Sequence, residues 1–192
     1  EMKAMWEESV RPLLLARQNC TLHSITLRVL GGESDIEYRV RHLLENANPT
    51  AAIYCKTGEC EIRITARARS DEDGEKMCRA YAKKFYDLLG DAVYDEDVAG
   101  LEETLVRTLK EKGLTISTAE SCTGGLIAQR ITSVPGSSEV FGYGFVTYWE
   151  AAKARLVGVE PDVIAKYNVV SAPVAAQMAL GAAQAAGAEI GI

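Results

Sequence analysis

The stretch Leu114 to Gly125, LTISTAESCTGG, constrains the fold more than any other part of this 192-residue chain. A short apolar run suited to a buried strand delivers Ser121 into a glycine-rich turn, and the residues from about Thr123 to Ile131 continue at helical spacing. A strand that passes through a turn into a helix belongs to a layered α/β architecture. The first backbone N–H groups of a helix have no partner within it and carry partial positive charge, so such a turn suits a phosphate or a developing oxyanion. Ser and Thr are also ordinary helix caps, and Gly relaxes any tight turn. The turn alone therefore does not separate chemistry from capping.

The residues around the turn repeat the alternation of helix and strand. Leu101 to Lys112 places Leu101, Leu105, Val106 and Leu109 on one helical side, with Gly113 as its stop. After Pro135-Gly136-Ser137-Ser138, the run Val140 to Tyr148 reads as an apolar, glycine-containing strand. Ala151 to Val157 is a short helix, Pro161 opens another, and Pro173 to Ala186 is an alanine-rich helix whose small side chains permit close approach. Glu189 to Ile192 reads as a final strand.

Residues 1–97 have a different texture, more charged and with clear alternations, and the break falls within Asp91 to Gly100, DAVYDEDVAG. The expected domains are thus 1–97 and 98–192. In the first, Met2 to Leu15 and Ser34 to Asn46 read as helices, and Thr21 to Leu30 as a strand with Ile25, Leu27 and Val29 on one face. Thr50 to Lys56 and Glu59 to Ala68 form a hairpin through Thr57 and Gly58. The second of these strands sets Ile62, Ile64, Ala66 and Ala68 against Arg63, Thr65, Arg67 and Arg69. Ser70 to Leu89 is a long helix with an acidic first turn, which suits the helix dipole. The order βαββα predicts a small α+β sandwich, a three-stranded sheet covered on one face by helices. KH-like nucleic-acid modules share that order, and the arginine stripe could touch phosphates. The missing GxxG clamp loop, the net charge of −6 and a pI near 5.1 argue instead for a solvated face or a subunit interface.

No apolar run approaches the ~20 residues that cross a bilayer, and no signal-peptide core is present, so a cytoplasmic, membrane-free protein is expected. Cys20, Cys55, Cys60, Cys78 and Cys122 form no CxxC pair, and His23 and His42 are the only histidines. That composition suits free thiols better than a zinc site or a disulfide framework, and no metal or cofactor is expected.

Candidate chemistry gathers in the second segment, where Ser121, Ser137, Ser138, Tyr148 and Lys153 stand without any histidine. A hydroxyl needs a base to attack an amide, and a lysine serves when burial and neighbours keep it neutral, although a lysine on a short amphipathic helix is more commonly solvated. Tyr148 and Lys153 are five residues apart, not the four of the short-chain dehydrogenase pair, and no GxGxxG follows the strand, which argues against nicotinamide-dependent redox chemistry.

Five motifs occur together in order: AESCTGG at 119–125, VPGSS at 134–138, the Tyr148 and Lys153 pair, LVGV at 156–159 and VVSAPVAAQMA at 169–179. In these the chain resembles the C-terminal domain of the CinA family of competence/damage-inducible proteins, which in many members is a nicotinamide-nucleotide amidase, or NMN deamidase. EMKAMW resembles the tail of that family's N-terminal domain, and GESDIE, NPT and EIRITARA its small KH-like middle domain. The resemblance implies a middle domain followed by an α/β/α layered amidase domain, a homo-oligomer, and hydrolysis of the carboxamide of nicotinamide mononucleotide. Carried to matching positions, Ser121 would be the nucleophile, Lys153 its base, and Tyr148 a group orienting the pair or the substrate. Chemistry adds the N–H groups around Cys122, Thr123 and Gly124 as oxyanion donors and Ser138 as a substrate contact or proton relay.

Two departures stand out. Where the family commonly reads Tyr-Ser-Asn-Glu-Ala-Lys, this chain reads Tyr148-Trp149-Glu150-Ala151-Ala152-Lys153. The chain also stops at Ile192, where the family continues into a Thr-Gly-x-Ala-Gly-Pro loop, so the amidase domain is expected to be incomplete and these residues alone weakly active or inactive. The competing expectation is a binding and assembly module that holds a nucleotide phosphate at the same helix start without chemistry.

Overall fold

The computed structural model describes residues 2–16, 20–56 and 58–192, and the chain divides into two compact units, 1–98 and 99–192. The first opens with α1 (Met2–Met5), a π-helical stretch Trp6–Val10 and α2 (Arg11–Leu15). Then follow β1 (Thr21–Leu30), α3 (Glu33–Leu44), β2 (Thr50–Lys56), β3 (Glu59–Ala68), α4 (Asp71–Leu89) and β4 (Val93–Glu96). Ser70 caps α4 by accepting the Asp73 N–H, which explains why the helix begins after it.

The sheet is antiparallel in the order β2-β3-β1-β4. It has four strands where three were expected, because β4 lies within the charged break and pairs with β1 through Leu27 and Glu96. Ile25, Leu27, Val29, Ile62, Ile64 and Ala66 point inward against Ile36 and Val40 of α3 and Tyr81 and Phe85 of α4. The β2–β3 hairpin pairs Lys56 with Glu59, and Thr57 of its expected turn lies outside the described residues. On the opposite face Arg28 is only 1% exposed, with its guanidinium 2.7 Å from Glu59, 3.1 Å from the Tyr94 hydroxyl and also bonded to Glu61. Burial works against the Arg28 charge, but Tyr94, Glu59 and Glu61 outweigh it and hold the guanidinium above its ordinary value. Arg63 stacks over Tyr54 at 5.0 Å, so part of the arginine stripe is occupied within the sheet.

The second unit is a three-layer α/β/α fold around the parallel sheet β6-β5-β7, built from β5 (Ile116–Glu120), β6 (Phe141–Val146) and β7 (Ile190–Gly191). One face is covered by α5 (Leu101–Lys112) and α6 (Leu126–Thr132), whose Val106, Leu109 and Ile131 pack with Ile116 and Val140. The other is covered by α7 (Glu150–Val157), α8 (Pro161–Tyr167) and α9 (Ala172–Ala186), around Val157, Val159, Ile164, Val174, Met178 and Ala182. The small residues of α9 have a clear purpose at Gly181, where a Cβ would stand 1.7 Å from the Val157 carbonyl oxygen. Helix α6 starts at Leu126, later than the spacing suggested, because Gly124 and Gly125 take left-handed backbone at φ +61° and +99° and extend the turn after β5. No helix among the described residues is long and apolar enough to cross a membrane.

Candidate active site

Parallel strands end on the same side of their sheet, so the segments leaving β5 and β6 meet there. Ser121 follows the last residue of β5, Thr147 and Tyr148 follow β6, and α7 then returns Lys153 to the same point. Lys153 is 1% exposed, and its Nζ lies 3.0 Å from Ser121 Oγ, 2.6 Å from the Thr147 carbonyl and 3.3 Å from the Tyr148 carbonyl. A neutral amine has two N–H bonds and one lone pair. The Nζ donates to both carbonyls and to the Ser121 hydroxyl; an amine that had given up one proton would keep both carbonyl bonds and turn its lone pair to the serine proton, as a general base does.

The pair lies at the edge of a cavity of about 700 Å³, which Cys122 and Tyr148 also line. Its far wall is apolar, formed by Val169, Ala172, Ala175 and Met178. Tyr148 meets Lys153 through its carbonyl, while its side chain is 70% exposed. Trp149 and Glu150 do not line the cavity; Trp149 is 77% exposed.

The start of α6 differs from expectation. Its N–H groups are not open to a ligand, because the carboxylate of Glu120, 2% exposed, accepts from Gly125 N at 3.1 Å, Ile127 N at 3.0 Å and Ala128 N at 2.8 Å. Burial pushes this carboxyl up, yet those N–H groups and the Thr123 hydroxyl outweigh it and hold it below the usual carboxylate range. Thr123 thus helps to hold the Glu120 charge, and Gly124 donates its N–H to the Ser121 carbonyl at 3.1 Å. Ser138 is displaced further. It lies in the turn Ser137–Glu139 before β6, at the opposite end of the sheet, and borders a separate cavity of about 230 Å³ with Phe141 and Ala186. Motif order along the chain carried no information about strand direction. Glu120 was missed, although a buried strand carboxylate beside an unsatisfied helix start is a recognisable pairing. Among the described residues no three His, Cys, Asp or Glu side chains are grouped to hold a metal ion.

Residues 98–192 match the family model described as the CinA C-terminal domain, and residues 24–94 match the damage-inducible protein CinA KH domain. The chain belongs to the CinA family. A relative in Clostridium novyi carried under the competence-damage inducible name is 47% identical over the whole chain, and a CinA-like protein of Kosmotoga olearia is 44% identical, each covered over 47% of its own length. A solved competence/damage inducible protein from Agrobacterium tumefaciens is 43% identical over 46% of this chain and 53% of its own, with a TM-score of 0.45. The chain spans about half the length of the curated relatives it matches. Within this CinA chain the KH-domain match runs from β1 into β4, and the C-terminal match takes in every element from α5 to β7.

Proposed function

We propose that the intact protein hydrolyses the carboxamide of nicotinamide mononucleotide to nicotinate mononucleotide and ammonia, with Ser121 as nucleophile and Lys153 as general base. The observation that carries this reading is the 3.0 Å contact between the buried Lys153 Nζ and Ser121 Oγ at the edge of a cavity. Ser121 Oγ attacks the carboxamide carbon as its proton passes to Lys153 Nζ. The C–N bond then breaks, and the same proton goes to the leaving nitrogen, which departs as ammonia. Water, deprotonated by Lys153, then attacks the resulting ester; its acyl C–Oγ bond breaks, the proton on Lys153 passes to Ser121 Oγ, and the carboxylate is freed. Gly124 and Gly125 have spent their N–H groups on Ser121 and Glu120, so the Cys122 and Thr123 N–H groups are the donors assigned to the oxyanion. Such donors typically contribute ~3 to 4 kcal/mol each. A volume of about 700 Å³ suits a mononucleotide, and the apolar wall suits a flat pyridine ring.

A non-catalytic nucleotide-binding and assembly module would need the α6 start for a phosphate, and Glu120 fills it. The test is ammonia release from nicotinamide mononucleotide by the full-length protein and its Ser121→Ala and Lys153→Ala variants. Both variants should lose at least ~100-fold in kcat. Undiminished release by Ser121→Ala rejects the nucleophile, and unchanged nucleotide after prolonged incubation with the wild type favours the binding module.

A further inference from the structure

Hydrolysis needs a nucleophile, a base and oxyanion donors, and Glu120 is none of these. Yet it is 2% exposed and directly precedes Ser121. Its side chain reaches over the turn to Gly125, Ile127 and Ala128, so residues 121–124 form a loop closed at both ends by one residue. An ordinary helix cap belongs to the residue next to the helix and satisfies one or two N–H groups. Here the carboxylate comes from the preceding strand and satisfies three, bracketing the nucleophile. The backbone of Glu120 is tied in as well. Its carbonyl accepts the Thr147 N–H at 2.7 Å, while the Thr147 carbonyl holds Lys153 Nζ at 2.6 Å. One residue thus braces the serine turn with its side chain and the lysine's anchor with its main chain.

We propose that Glu120 is the positioning residue of the Ser121 centre, its carboxylate fixing the 121–125 turn so that the serine hydroxyl meets Lys153 while the Cys122 and Thr123 N–H groups remain free for the oxyanion. This rests on the reading of Ser121 as nucleophile. The carboxylate's charge opposes the positive end of α6, so removing the charge while preserving shape loosens the turn without emptying a cavity. Misplacing a reacting atom by about 1 Å costs on the order of 100-fold in rate.

The test uses the full-length protein and a fluorophosphonate, which forms an Oγ–P bond with an activated serine as the P–F bond breaks and fluoride leaves. Modification of Ser121 is followed by peptide mass spectrometry, giving the maximal rate and the probe's half-saturating concentration separately, beside a thermal melt of each variant. Glu120→Gln, folded at the assay temperature, should react ~10- to 100-fold more slowly with half-saturation unchanged. Thr123→Val, which deletes the hydroxyl that supports the Glu120 charge, should slow severalfold, and Thr123→Ser should restore the rate. A folded Glu120→Gln that reacts at the wild-type rate overturns the proposal and leaves the nucleophile standing. If Glu120→Gln does not fold, equal rates for the Thr123 pair overturn the proposal, and a slow Val beside a normal Ser supports it. Wild type that stays unmodified at Ser121 removes the nucleophile reading and this proposal with it.

Discussion

Gly181→Ala tests whether the contact between α7 and α9 sets both the stability and the chemistry of the second unit. The added Cβ would stand 1.7 Å from the Val157 carbonyl oxygen, 2.6 Å from its carbon and 3.0 Å from its Cβ, where ordinary contact begins at 3.4 Å. The obstacle is backbone within a helix, so the helices must part rather than a side chain swing away. Parting them loosens the cluster of Val157, Val159, Ile164, Val174, Met178 and Ala182. Overpacking of this kind costs ~3 kcal/mol at its upper range, and alanine's better helix propensity returns ~1 kcal/mol. The net is ~2 kcal/mol of destabilisation. For a unit of this size that lowers Tm by roughly 8 to 16 °C. Lys153 rides on α7 and the cavity wall residues Ala172, Ala175 and Met178 on α9, so ammonia release should fall even well below the melting transition. Circular dichroism melts of wild type, Gly181→Ala and the exposed control Gln184→Ala measure the first effect, and steady-state kinetics the second. A Gly181→Ala melt at or above wild type, as propensity alone would give, refutes the reasoning.

Lys153→Met keeps the buried stem and removes the amine, and Lys153→Arg keeps a cation that cannot act as a base; both should lose ~100- to 10,000-fold in kcat, and rapid turnover by the Arg variant would remove the general-base role. Thr118 is fully buried and its Oγ1 has no hydrogen-bond partner among the described residues, so Thr118→Val should be neutral or stabilising by ~1 kcal/mol in urea unfolding; a loss above that size would mean the hydroxyl has a partner in solution. The Glu120 carboxyl is held below its usual range in the folded protein, so its contribution is present above the unfolded value of ~4.3 and is lost as pH falls below it. Between pH 6 and 3 wild type should therefore lose more stability than Glu120→Gln, whereas parallel curves would show that the carboxylate is not selectively stabilised by folding.

The sequence was legible where one face of an element is buried and the other is not. Alternation at Ile25, Leu27 and Val29 and at Ile62, Ile64 and Ala66 marks strands because those residues are core, and Gly113 stops α5 with left-handed backbone at φ +63°. β4 was illegible because VYDE is short and nowhere fully buried, so its identity as a strand comes from pairing with β1 rather than from its own pattern. Arg28 sits at a position whose alternation points to the open face, and only the partners Glu59, Glu61 and Tyr94, 31 to 66 residues away, make it buried. Ser121 and Lys153, 32 residues apart, pair in the sequence because the second segment has no histidine to act as base and because of the family resemblance; nothing in their spacing brings them together, and parallel β5 and β6 do. Ser138 was misplaced for the same reason, as proximity in motif order is not proximity in a sheet. The helix start reads as vacant in the sequence because its N–H groups can be counted there, while the carboxylate that arrives from the strand before it cannot.

Lys153 is gripped by two main-chain oxygens, those of Thr147 and Tyr148. Every amino acid supplies the same carbonyl, so the amine's address is written in the path of the chain and not in the letters at 148 and 149. The Trp149 side chain is exposed and lies outside the cavity lining, so it can be exchanged without moving the amine from its two carbonyls. The position of the amine and the identity of the side chains beside it are in that sense set separately within a few consecutive residues.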